Sequence, residues 1–201
     1  MSGIQSSSGR FLKRVDDFKY LGSFIMDSTK DFNTRKGMAW SACNKLSKIW
    51  ESDLPNKIKI DVFQATVEPV LLYGSDTWTL SERLHNRLDG TYTKLLRRVQ
   101  NISWKEHATL NKIYGCLPRI SQTLRQRRAQ FAGHCLRATD ELSSNFVLWK
   151  SHAIGKRSRK LTYYDTICRD TGLQYDDLKT AMNDRATWKE IVYNISAEAA
   201  G

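Results

Sequence analysis

The sequence predicts a mainly α-helical protein with a short N-terminal β-hairpin and a C-terminal helical region. Three observations carry this. Hydrophobic residues make up 40% of the 201 positions and include 6 Trp, 8 Tyr and 7 Phe, enough to build a sizeable core. Only 3 Pro and 11 Gly interrupt the chain, so helices are the least costly way to satisfy its backbone. Apolar residues recur at steps of three and four along several long stretches.

The opening "MSGIQSSSGR" is polar and rich in Ser and Gly, the composition of an unstructured leader. "FKYLGSFI" (Phe18 to Ile25) then alternates aromatic, β-branched and glycine residues, which predicts a strand and a tight bend. From Asp31, "DFNTRKGMAWSACNKLSKIWES" sets Phe32, Ala39, Ala42, Leu46 and Ile49 near one face of a helix of about 20 residues. Lys45 and Lys48 point away from that face. Leu54 and Pro55 end this helix and open the next, since proline suits a first turn. Between Ile60 and Tyr73 that next helix is apolar nearly all round and is read as core, bent at Pro69 and ended at Gly74.

Ser81 is the expected N-cap of "ERLHNRLDGTYTKLLRRVQNI". Leu84, Leu88, Tyr92, Leu95, Val99 and Ile102 form its apolar stripe, with Arg97 and Arg98 beside it at the C-terminal end, where cations suit the helix dipole. A short helix near "HATLNKIYG" leads through Pro118 into "RISQTLRQRRAQFAGHCLRATD". There Ile120, Leu124, Phe131 and Cys135 define a buried side, and Arg125 and Arg128 share another side, expected in solvent. Beyond "IGKRSRK", Tyr164, Ile167, Leu178, Met182, Trp188 and Ile191 are the expected core of two or three short helices. Trp78, Trp104, Trp149 and Trp188 all fall in hydrophobic contexts, which favours packing over base stacking.

The net charge of +11 favours an anionic partner. Residues 119 to 160 hold 10 basic and 2 acidic groups, whereas residues 161 to 201 hold 4 and 7. Lys45, Lys48, Arg97, Arg98, Arg125 and Arg128 on three helices, with Lys156, Arg157, Arg159 and Lys160 in a basic loop, are therefore the candidate nucleic-acid-binding residues. They would follow the phosphates of RNA, DNA or an RNA/DNA hybrid without reading sequence. "KRSRK" also fits a nuclear import signal.

Other chemistry finds little footing. His85, His107, His134 and His152 stand far apart, and neither C-x-x-C nor H-x-x-x-H occurs, so no metal site or cofactor is expected. Phosphate-loop, nucleophile-elbow and dinucleotide-binding motifs are missing. Asp176 and Asp177 follow Tyr175 at the wrong spacing for a polymerase aspartate box, and their polar flanks suit the first turn of a helix. Cys43, Cys116, Cys135 and Cys168 are scattered singly, as reduced thiols are. No apolar run approaches the ~20 residues of a membrane span, so a soluble intracellular protein without a membrane partner is expected.

In sequence order, "FKYLGSFI", "KIKIDVFQATVEPVLLYGSDTWTL", "LLRRVQNISWKEH", "RRAQFAGHCLRA" and "DRATWKEIV" resemble the C-terminal part of reverse transcriptases from LINE-type, non-LTR retrotransposons. The resemblance covers about residues 16 to 193, with "VLLYGSDTW" and "GHCLR" its most specific pieces. It implies, after a leader at 1–15, a palm-end β-hairpin remnant at 16–30, a thumb-like helical bundle at 31–104 and a basic post-thumb region at 105–201. It also implies template and primer binding beside palm and fingers domains, in an RNA-directed DNA polymerase whose catalytic aspartates are not among these residues. No residue is assigned catalysis, and this chain is not expected to be an enzyme. Asp76 stands where the family phrase has glutamate, a change that keeps the charge. The rival readings are a domesticated helical nucleic-acid-binding module and a protein-interaction scaffold.

Overall fold

The structure is a computed structural model that describes residues 4–5, 11–12, 19–24, 27–138, 141–149 and 162–197. It is mainly helical. Within the predicted leader, β1 (Ile4–Gln5) pairs antiparallel with β2 (Phe11–Leu12). The expected hairpin is β3 (Lys19–Tyr20) against β4 (Ser23–Phe24), in the register Lys19 with Phe24 and Tyr20 with Ser23. Its two-residue turn has φ 46° at Leu21 and 86° at Gly22, the doubly left-handed bend that matches strand twist. Such a ribbon is marginal in isolation. Here its tip is held from outside: Tyr73 Oη donates to Leu21 O at 2.9 Å and Arg35 Nη2 to Gly22 O at 2.6 Å.

Helix α1 (Ser28–Lys45) starts three residues before the expected Asp31, because Asp27 caps it by accepting from the backbone N–H of Thr29 and Lys30 at 2.8 and 3.0 Å. The expected single helix is broken at Leu46 and resumes as α2 (Ser47–Trp50). The fully buried Trp50 indole donates to Cys43 O at 2.7 Å, satisfying a carbonyl at the end of α1. The buried Lys59 ammonium does the same for α2, donating to Trp50 O at 2.8 Å and Ser52 O at 2.7 Å. Lys59 lies on α3 (Asn56–Thr66), which stops at Val67 before α4 (Glu68–Leu71), since Pro69 has no N–H to continue the ladder. Gly74 ends the segment at φ 70°, and a Cβ there would meet Ser23 Oγ of the hairpin at 2.5 Å. A 3-10 turn, Ser75–Thr77, follows.

Ser81 precedes α5 (Glu82–Val99) as expected, though its side chain makes no capping bond. After a second 3-10 turn, Trp104–Glu106, come α6 (Leu110–Tyr114), α7 (Ile120–Arg137), α8 (Glu141–Leu148), α9 (Tyr163–Thr171), α10 (Tyr175–Asn183) and α11 (Arg185–Ala197). Asp176 and Asp177 occupy the first turn of α10, as the helix-start reading required. No helix among the described residues is long and apolar enough to cross a membrane.

Two hydrophobic clusters organise these helices. The larger gathers Phe32, Trp50, Phe63, Leu71, Trp78, Leu88, Tyr92, Leu95 and Val99 from α1 to α5, and extends to Ile113 of α6 and to Ile120 and Leu124 of α7. The smaller begins at Ala129 of the same α7 and gathers Val147, Tyr164, Ile167, Leu178, Met182, Trp188 and Val192. Helix α7 therefore serves both clusters, with the change at its middle. Trp78 and Trp188 are buried as expected, whereas Trp104 is 75% exposed and Trp149 60% exposed, against the expectation of packing. Both lie just past an apolar stripe, Trp104 in the turn after α5 and Trp149 beyond the end of α8, where no facing helix covers them among the described residues.

Candidate nucleic-acid interface

Four of the predicted cations stand on helix ends of the larger cluster. Lys45 ends α1 and Lys48 lies on α2, both exposed. Arg97 and Arg98 occupy the last turn of α5, half-buried. Arg98 Nη2 reaches Glu51, the residue after α2, at 2.9 Å, which brings the end of α5 against the end of α2. Arg98 also lies close enough to Cys43 to act on its thiol electrostatically, although burial outweighs it and pushes that thiol up. The Arg98–Glu51 ion pair thus joins the C-terminal end of α5 to the end of α2, which carries Lys48 and follows Lys45 of α1. Arg97 adds a structural bond, donating through Nη2 to Ser103 O in the next turn.

Arg125 and Arg128 do not join this group, and Arg128 corrects the prediction directly. Its side chain is 0% exposed. It donates from Nε to Asp170 Oδ2 at 2.8 Å and from Nη1 to Trp78 O at 2.7 Å. Arg128 stands where α7 passes from one cluster to the other, so its side chain enters the seam between them and cannot reach solvent phosphates. Arg125, one turn earlier and about a third exposed, lies 3.7 Å from the other oxygen of Asp170. Burial pushes Asp170 up and Arg128 down, while each favours the charged form of the other. Lys156, Arg157, Arg159 and Lys160 lie outside the described residues.

Further polar contacts cross the same seam. Tyr163 Oη donates to Asp76 O at 2.8 Å, and Arg169 Nη2 to Leu80 O at 3.2 Å. Arg169 also lies 3.3 Å from Glu82. His85 of α5 is buried beside this network, and neither ring nitrogen has a hydrogen-bond partner among the described residues. Burial, then the charges of Arg128, Arg125 and Arg169, depress its pKa to about 3. Asp170 was not singled out from sequence, and nothing local could have done so: it lies 42 residues from Arg128.

No group of three or more His, Cys, Asp or Glu able to hold a metal ion occurs among the described residues. Asp76 lies in the Ser75–Thr77 turn and contributes its backbone carbonyl to Tyr163.

Comparison with known proteins gives one informative similarity. Over 143 residues, 67% of this chain, it is 29% identical to a Caenorhabditis elegans protein described as transposon-derived. The chain spans about half that protein's length, the match covering 51% of it. No protein-family profile matches the chain, and no solved structure matches it significantly.

Proposed function

We propose that this chain is the thumb and post-thumb part of a transposon-derived, LINE-type reverse transcriptase, and that it holds template and primer through their phosphates. The observation that carries the reading is that Lys45, Lys48, Arg97 and Arg98 stand at helix ends that the Arg98–Glu51 contact brings together. The net charge of +11 and the similarity to a transposon-derived protein support it. On this reading palm and fingers domains supply the catalytic aspartates, and the chain by itself extends no primer. Its contribution is electrostatic and independent of sequence.

The test is binding of the purified chain to a primer–template RNA/DNA hybrid across a salt series, beside a variant carrying Lys45→Gln, Lys48→Gln, Arg97→Gln and Arg98→Gln. The expected result is log affinity falling by about 0.9 per phosphate neutralised for each tenfold rise in salt, taking duplex DNA as the guide, with a shallower slope in the variant. A folded chain with no affinity at low salt overturns the reading. Primer extension by the chain alone would overturn the non-catalytic part of it.

A further inference from the structure

Trp104 is the most exposed tryptophan among the described residues, and the loop carrying it is firmly built. Asn101 and His107 bracket the loop with φ of 54° and 47°, a conformation these residue types tolerate better than most, so the chain turns sharply at either end. Ser103 and Glu106 close a capping box: Ser103 N donates to Glu106 Oε1 at 2.6 Å and Lys105 N to Ser103 Oγ at 3.3 Å. From below, Arg97 donates to Ser103 O. The indole is thus held out from a backbone fixed at three points, and an aromatic ring displayed this way loses little entropy when it is covered.

The surroundings select what covers it. Lys105 Nζ lies 6.0 Å from the centroid of the Trp104 ring. Lys94 and Lys112 are exposed on the helices either side of the loop. From residue 94 to residue 112 there are five basic groups and one acid, Glu106, which is bonded into the capping box through Oε1 and lies 3.9 Å from Lys112 through Oε2. An apolar partner helix would have to desolvate these cations. A flat, uncharged ring attached to a phosphate would instead place its base on the indole and its charge among them.

We propose that Trp104 is a stacking platform for an unpaired nucleobase, and that the Trp104–Lys105 turn binds single-stranded nucleic acid at the edge of the cationic surface formed by Lys45, Lys48, Arg97 and Arg98. This rests on the phosphate-binding reading and adds to it a preference for unstacked bases. Arg97 links the two, since it belongs to the cationic surface and also holds the turn.

The experiment measures affinity of the chain for a single-stranded oligothymidylate and for a blunt duplex of equal length, using wild type, Trp104→Ala, Trp104→Leu, Trp104→Phe and the four-glutamine variant. Trp104 is exposed, so thermal melts of its variants should overlay wild type. The expected result is a loss of about five- to a hundred-fold on single strands for Trp104→Ala. Trp104→Leu should lose as much despite its apolar bulk, Trp104→Phe should retain most of the affinity, and duplex binding and salt slope should stay unchanged. An oligonucleotide carrying 5-iodouracil should photo-crosslink at Trp104. Unchanged single-strand affinity in Trp104→Ala, or crosslinking only at other residues, overturns the platform while leaving the phosphate reading intact if the glutamine variant still flattens the salt slope. Absence of binding by folded wild type at low salt overturns both.

Discussion

The two hydrophobic clusters are built differently, although one helix runs through both. The larger closes over Phe32, Trp50, Phe63, Trp78 and seven leucines at most 1% exposed, and several polar groups inside it are bonded within it. Lys59 caps α2, and Tyr92 Oη donates to Glu68 Oε2 at 2.7 Å. The smaller closes over Val147, Ile167, Leu178, Met182, Trp188 and Val192 with two alanines, a cysteine and two tyrosines, and several of its attachments to the larger are polar: Arg128 to Asp170, Tyr163 to Asp76, Arg169 to Leu80. Both regions bury apolar side chains, and the fully buried Arg128–Asp170 pair, with Arg128 also donating to Trp78 O, joins the second to the first. Lys45, Lys48, Arg97 and Arg98 all lie on helices of the larger cluster.

The largest expected effect comes from breaking the seam. Arg128→Met leaves Asp170 buried without its main partner and should cost about 3–5 kcal/mol in chemical denaturation, and changing Asp170→Leu together with it should recover most of that. A cost below about 1 kcal/mol would mean that the seam does not couple the regions. Gly133→Ala acts within the second cluster. The added Cβ would lie 2.3 Å from Trp188 Nε1, which donates to Ala129 O at 2.9 Å, so α11 must move or lose that bond. Overpacking of this kind costs about 1–3 kcal/mol, and hydrogen exchange should show the loss concentrated in α9 to α11.

Acid should loosen the same seam. The pKa of His85 is depressed from 6.5 to about 3 in the fold, so the unfolded chain binds the proton more readily. The stability this contributes is complete above about pH 6.5 and is lost as pH falls toward 3, with a slope of at most about 1.4 kcal/mol per pH unit. Arg128, Arg125, Arg169 and Asp170 face the same space. The difference between the wild-type and His85→Leu profiles isolates the histidine, and parallel acid limbs would refute its role. The smallest effect on stability is expected at the cationic end: Lys45→Gln and Lys48→Gln should each stay within about 0.5 kcal/mol of wild type while reducing the salt dependence of hybrid binding.

Much of the helical plan is legible in the sequence. The stripe from Leu84 to Val99 names α5, Pro55 and Ser81 mark helix starts, and Gly74 marks an end. The candidate surface is half legible. Lys45, Lys48, Arg97 and Arg98 stand at helix ends, where solvent and dipole both favour a cation, and they are exposed or half-buried there. Trp104 is exposed and Arg128 buried, each against its local pattern, since periodicity reports which residues share a face but not whether another element covers that face.

The sequence by itself determined where helices form and which stripe each one buries, because backbone propensity, capping and the 3.6-residue period act over a few neighbouring positions. Tertiary structure alone decided that α7 divides between two clusters, that Arg128 pairs with Asp170 while Arg97 and Arg98 remain near solvent, and that Trp104 is left exposed among the described residues. Those outcomes depend on which distant segment arrives opposite a side chain and on the dielectric it brings, and neither is written within one helical turn of the residue itself.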